Sequence, residues 1–123
     1  MYTADTNVVV YYLKNDVAAG DFFDRATAQH LIVYVSGVTE VEALCYPPLT
    51  EIEIQSIENV LGFCTTIHTN AIITRQAAEI RRKYGVKTMD ALIAATALFT
   101  NSTLITRNVR DFKRIQELSL EAI

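Results

Sequence analysis

The chain has 123 residues, of which 50% are hydrophobic and 20% charged, ordinary values for a globular domain. A chain of this length buries about two thirds of the surface its unfolded form exposes, so its core needs no disulfide or metal staple. No run reaches the roughly 18 consecutive apolar residues of a membrane span, and MYTADTN lacks the basic-then-apolar order of a secretory signal. The expectation is therefore one domain over residues 1–123, cytoplasmic and without membrane association.

Cys45 and Cys64 stand 19 residues apart with no CxxC and no histidine at ligand spacing, which reads as two buried thiols in a reducing compartment. His30 and His68 are equally isolated, and neither is assigned a role. The net charge of -3 hides an asymmetry. The window from Arg75 to Arg114 holds nine of the eleven basic residues against three acids, so it carries +6 and the remainder -9. A basic face of that kind steers polyanions, although solvated helix faces produce the same pattern.

In chain order, Tyr2 to Asp5 reads as a short strand, followed by a helix entered through Thr6 or Asn7 and running to Leu13. The β-branched run Val8, Val9, Val10 opposes that boundary. With it, Asp5 stands at the carboxyl end of the first strand, the edge at which open parallel α/β sheets bind ligands. Asp16 to Gln29 is an amphipathic helix with Val17, Phe22, Phe23 and Ala26 inward and Gly20 as a potential break. LIVYV at Leu31 to Val35 has the continuous apolar character of a strand covered on both faces. VTEVEALCY then forms a short helix ended by Pro47 and Pro48, in which Thr39 and Glu42 match the capping box T-x-x-E. Glu40 and Glu42 lie about 200° apart around a helix, so at most one faces a shared site.

Thr50 to Phe63 repeats the capping pattern with Thr50 and Glu53, and places Ile54, Ile57, Leu61 and Phe63 at helical spacing. Cys64 to His68 is a third strand. Asn70 caps a helix to Tyr84 that turns Ile72, Ile73, Ala77 and Ile80 inward and ends at Gly85. Thr88 to Phe99, TMDALIAATALF, is apolar nearly all round, a buried helix, with Asp90 the only charged residue from Thr88 to Thr106. Taken alone, Asp90 has a bland explanation in the helix dipole, worth roughly 0.3–1 kcal/mol. TLIT at Thr103 to Thr106 is a fourth strand, NVRDF a loop and helical turn carrying Asp111, and LSLEAI a candidate edge strand. Strands alternating with helices predict an α/β fold with a mainly parallel sheet.

Asp5, Glu42, Asp90 and Asp111 are then candidates for one sheet edge. Clustered carboxylates repel one another and resist joint ionisation. A hard divalent cation relieves this, because Mg²⁺ or Mn²⁺ prefers oxygen ligands and Mg²⁺ is usually held by a few carboxylates, waters and substrate phosphate. Phosphodiester cleavage is the chemistry such a site suits.

The segments that carry these acids, DTNVVVYYL at Asp5, TEVEAL at Thr39, MDALIAATAL at Asp90 and ITRNVRDF ending at Phe112, resemble in order the PIN domain family, and most closely its small VapC-like toxin ribonucleases. The resemblance covers almost the whole chain. It implies a three-layer α/β/α sandwich and a metal-dependent endoribonuclease that cuts single-stranded RNA with one or two Mg²⁺ or Mn²⁺ ions. It places the acidic set on Asp5, Glu42, Asp90 and Asp111, selects Glu42 over Glu40 through Thr39, and adds Thr6, Asn7, Thr39, Thr106 and Asn108 as supporting polar residues. It further implies a cognate antitoxin and a homodimer. Arg81, Arg82, Lys83, Arg107, Arg110 and Lys113 are the candidates for RNA backbone contact. A catalytically silent PIN fold that binds RNA or protein is the alternative. A phosphoacceptor signalling domain fits less well, since Asp5 is followed by Thr6 and no lysine follows the fourth strand.

Overall fold

Leu104 and Ile105 are neighbours on one strand yet belong to different hydrophobic cores, because successive side chains of a strand point to opposite faces. That alternation organises the whole molecule. The computed structural model describes residues 1–45 and 48–123. Its strands are β1 (Tyr2–Ala4), β2 (Val33–Ser36), β3 (Thr65–Ile67), β4 (Thr103–Thr106) and β5 (Leu120–Ala122). Its helices are α1 (Thr6–Leu13), α2 (Val17–Ala28), α3 (Gly37–Leu44), α4 (Glu51–Phe63), α5 (Ala71–Tyr84), α6 (Thr88–Phe99) and α7 (Val109–Phe112). The sheet order is β3-β2-β1-β4-β5 and every pairing is parallel, the predicted edge strand included.

One face of the sheet is covered by Val8 and Val9 of α1, Phe22 and Phe23 of α2, and Ile57, Val60 and Leu61 of α4. The other is covered by Ile73, Ala77 and Ile80 of α5 with Ala91, Ile93, Ala94 and Ala95 of α6. The result is the three-layer α/β/α arrangement. The chain leaves β1 for β2 and β3 on one side, then returns across the sheet to β4 on the other. A reversal of direction with right-handed crossovers requires the returning helices to lie on the opposite face, as α5 and α6 do. The reversal puts a topological switch point between β1 and β4, where the carboxyl ends of adjacent strands part and leave a crevice.

Several local expectations change. The β-branched residues after Asn7 are helical, because burial of Val8 and Val9 outweighs a propensity cost of a few tenths of a kcal/mol each. Val17 is 76% exposed and Ile72 65% exposed, while Ile54 and Phe63 are also open to solvent. Val17 and Ile72 sit in first turns and Phe63 at a last residue, where the helix has not yet reached, or has already left, the layer it packs against. Gly20 causes no break, since its N–H donates to the Asp16 carbonyl at 2.9 Å. Strand β2 starts at Val33 rather than Leu31, whose N–H is spent closing the end of α2 on the Ala26 carbonyl. Cys64 is buried as expected, but Cys45 is exposed. The helix ahead of the two prolines ends at Leu44; Pro47 lies outside the described residues. Among the described residues no helix is long and apolar enough to cross a membrane.

Candidate functional site

Asp5 follows β1 directly and serves as the N-cap of α1, its Oδ1 accepting from the Thr6 N–H at 2.8 Å. Its other oxygen, Oδ2, accepts from the hydroxyl of Thr106 at 2.7 Å. Thr106 is the last residue of β4, the strand beside β1, so this bond closes the floor of the switch-point crevice. Asp5 is only 4% exposed and Thr106 fully buried. The Thr106 hydroxyl also accepts from the N–H of Asn108 at 2.9 Å, and Asn108 Nδ2 donates to Asp111 Oδ2 at 3.1 Å. One chain of hydrogen bonds thus runs from the first acid to the last.

Glu42 joins from the other side. The Thr6 hydroxyl lies 2.7 Å from Glu42 Oε1 and 3.0 Å from the Thr39 hydroxyl, sharing its one proton between them. The predicted capping role of Thr39 is therefore overturned. The cap of α3 is Ser36, whose hydroxyl accepts from the Val38 N–H at 3.1 Å, and Thr39 stands inside the helix, wholly buried against Thr6. Ser36 before Gly37 was a cap signal available in the sequence, but the T-x-x-E match three residues later competed with it. With the capping box gone, Glu42 has no local structural task on its own helix.

Asp90 stands in the first turn of α6, half-buried, and makes no side-chain hydrogen bond among the described residues. Its carboxyl is raised above its ordinary value by burial first, then by the charges of Asp111 and Glu42, with Lys87 pulling it back. Asp5 is raised as well. Burial is the main cause, and the charges of Asp90 and Glu42 add to it against the lowering bonds from Thr106 and Thr6. Asp90, Asp111 and Glu42 therefore each act on another acid of the set, and Asp5 is acted on by two of them. Hydrogen bonding is complete, since among the described residues no buried side-chain polar atom lacks a partner. What the site leaves uncompensated is negative charge.

A divalent cation suits this donor set. The set offers carboxylate and hydroxyl oxygens, the hard donors such an ion prefers, and the hydrogen bonds that join its acids run through Thr6, Thr39, Thr106 and Asn108 with no histidine or cysteine among them. Among the described residues no three acidic, histidine or cysteine side chains stand close enough to grip an ion by themselves.

The other sequence candidates divide. Asn7 is exposed and takes no part in the hydrogen-bond network among the described residues. Arg81 donates to the Val86 carbonyl at 2.9 Å, Lys83 pairs with Glu117 at 3.2 Å, and Arg107 pairs with Asp16. Arg82, Arg110 and Lys113 are exposed and make no ion pair among the described residues. Lys87, three residues ahead of Asp90 on the same helix face, was not among the six, and it is the cation whose charge reaches Asp90.

An all-parallel α/β/α sandwich that brings its candidate acids to the carboxyl ends of β1 and β4 defines the class of protein. Residues 2–118 match the PIN domain model, and the chain belongs to the PIN domain family. Solved structures agree. VapBC2 from Rickettsia felis, bound to a DNA fragment from its promoter, is similar at a TM-score of 0.87 and 25% identity over 99% of this chain and 98% of that one. VapBC-1 from nontypeable Haemophilus influenzae gives 0.78 and 27% over 98% and 96%. DNA-bound VapBC from Salmonella typhimurium, at 0.86 and 20% over 98% and 96%, shares the fold. The chain is a VapC-like PIN protein. Comparison with curated protein sequences finds no match.

Proposed function

We propose that this protein is a metal-dependent endoribonuclease that cleaves single-stranded RNA, the toxin of a type II toxin–antitoxin pair, working with Mg²⁺ or Mn²⁺. The observation that carries the proposal is that acids from the ends of β1 and α3, the start of α6 and the turn α7 come together through one set of hydroxyl and amide contacts beside β1 and β4, near enough for Asp90 and Glu42 to raise Asp5 and for Asp111 and Glu42 to raise Asp90. A phosphodiester brought within about 4 Å of one ionised carboxylate meets roughly 4 kcal/mol of repulsion at an effective dielectric of 20. Four acids exclude an RNA backbone unless a cation stands between them.

Asp5, Asp90 and Asp111 are the residues to hold that cation, as one or two ions, directly or through water. When bound, the ion supplies a water of lowered pKa and neutralises charge on the scissile phosphate. The chain's own contribution is positional. Thr106 and the Thr6 N–H fix both oxygens of Asp5, Asn108 fixes Asp111 Oδ2, and Thr6, backed by Thr39, fixes Glu42 Oε1. Glu42 completes the site as a ligand or by orienting the attacking water. Arg82, Arg110 and Lys113 are free to meet the RNA backbone, with Arg81 and Lys83 available only by giving up their present partners. The VapBC relatives support an antitoxin partner, and the family resemblance implies that it sets a basic side chain among the carboxylates and that the protein is a cytoplasmic homodimer.

The test is cleavage of single-stranded RNA by protein purified free of any antitoxin, in Mg²⁺, in Mn²⁺ and in EDTA, for the native chain and Asp90→Asn. Cleavage confined to the native chain with a divalent ion is expected. Cleavage that survives both EDTA and Asp90→Asn overturns the reading, and RNA binding with no cleavage under any condition establishes the silent PIN module in its place.

A further inference from the structure

Arg107 lies between the two residues that hold site acids. Thr106 on one side bonds Asp5, and Asn108 on the other bonds Asp111. The Arg107 side chain serves neither acid. Its guanidinium carbon sits 4.0 Å from the centroid of the Tyr11 ring on α1, and its Nη2 donates to Oδ2 of Asp16. Asp16 is itself anchored, because it caps α2 and its Oδ2 accepts from the Ala19 N–H at 3.0 Å. The ion pair is partly buried, with side-chain exposures of 31% and 26% against 38–58% for the two other ion pairs among the described residues.

We propose that Arg107 is a positioning residue, a latch that fastens the β4–α7 connection to α1 and α2 and so sets Thr106 against Asp5 and Asn108 against Asp111. Helix α1 is gripped at both ends by adjacent residues at the end of β4: Thr106, the last of the strand, holds its N-cap, Asp5, and Arg107, the first beyond it, covers Tyr11 near its C-terminus. Only a planar guanidinium can stack on an aromatic face and donate to a carboxylate in the same pose, which a lysine ammonium cannot reproduce. A basic residue this close to the site would otherwise be assigned to RNA phosphate. With its charge already matched by Asp16 and its face occupied by Tyr11, Arg107 has less to offer a phosphate than Arg110, which has no such partners among the described residues.

The proposal rests on the nuclease reading only for its kinetic consequence, and Asp16 provides the means of separating the two. Asp16→Asn removes the charge that holds Arg107 while keeping an equally good helix cap, and an acid cannot itself be an RNA phosphate ligand. Three measurements decide the matter on Arg107→Gln, Arg107→Lys, Asp16→Asn and the Arg107→Gln/Asp16→Asn double variant. They are hydrogen exchange over residues 106–112 in the free protein, kcat and KM on single-stranded RNA with Mg²⁺, and the salt dependence of RNA binding in EDTA. Thermal melts establish that each variant is folded.

In the latch, Arg107→Gln and Asp16→Asn both speed exchange over 106–112, and both lower kcat by the roughly 10–100-fold typical of losing a group that orients a metal ligand. KM and the salt slope stay near native. The double variant is no worse than either single change, and Arg107→Lys is intermediate. Normal exchange in both single variants overturns the proposal. So does an Asp16→Asn variant of native kcat beside an Arg107→Gln variant whose salt slope falls by about 0.7, which identifies a phosphate contact instead. If the native chain cleaves no RNA the nuclease reading fails, and the exchange measurement still decides the latch.

Discussion

The two sides of the acidic crevice are built on different principles. On the β1/β4 side, Asp5 is buried, caps a helix, and accepts from both the Thr6 N–H and the Thr106 hydroxyl. On the α6 side, Asp90 is half-buried at the head of an alanine-rich helix and accepts from no side chain or cap. Burial and neighbouring acids raise both carboxyls, but only Asp5 has hydrogen bonds that offset part of the cost. Under the proposed function, Asp5 serves the fold and the chemistry together, whereas Asp90, with burial uncompensated by hydrogen bonds among the described residues, serves the chemistry alone. Stability and activity should separate at Asp90 and move together at Asp5.

The strongest way to break that contrast is to remove each acid in turn. Both Asp90→Asn and Asp5→Ala should lower RNA cleavage by more than the roughly 100-fold that loss of an outer supporting partner can cost, measured in single turnover with saturating Mg²⁺. Their melts should go in opposite directions. Asp5→Ala forfeits a helix cap worth about 1 kcal/mol and leaves the buried Thr106 hydroxyl without its acceptor at about 1–3 kcal/mol, so Tm should fall by roughly 5 °C or more. Asp90→Asn should raise it. A matching fall in both variants would show that Asp90 also supports the fold.

Thr106→Val tests whether the hydrogen-bonded side depends on its bonds. The change keeps the shape of the side chain but removes the donor to Asp5 and the acceptor for the Asn108 N–H, so activity should drop about 10–100-fold while the fold is retained. Divalent ions should sharpen the contrast further. Mg²⁺ at about 100 times its dissociation constant should stabilise the native chain by about 2.7 kcal/mol, and the same concentration should stabilise Asp90→Asn much less, as read from melts with and without EDTA.

The smallest expected effect is in pH. A carboxyl raised on folding binds its proton more tightly in the native state, so native stability falls as pH rises from the ordinary 3.8 through the elevated folded value. In metal-free buffer the Tm advantage of Asp90→Asn should be absent in acid, open across that window and stay constant above it. An advantage that grows as pH falls would contradict the assignment of Asp90 as an uncompensated charge.

Much of this was legible in the residues. Helix α6 was predicted at its observed bounds because the stretch between Lys87 and Asn101 is apolar nearly all round with Asp90 its one charge, and the Thr50–Glu53 capping box and the Gly85 terminus of α5 are formed as expected. Gly85 adopts φ 67°, the left-handed conformation that favours glycine. Local patterns failed where two signals competed. Thr39 and Glu42 match a capping box that the chain does not use, because Ser36 enters the helix first and Thr39 is needed against Thr6, 33 residues away. Arg107 looked like one more member of a basic run, since nothing in NVRDF or YYLKND shows that Arg107, Tyr11 and Asp16 meet.

The sequence by itself determined the elements and offered the candidate acids, because hydrophobic period, caps and breakers act within about a dozen residues. Only the tertiary structure decided which hydroxyl holds which carboxylate, which arginines are already engaged, and that Asp5 and Asp90 differ in what they cost. Those properties depend on β1 and β4 lying side by side with about 100 residues between them, a juxtaposition created by the reversal of the sheet at its switch point.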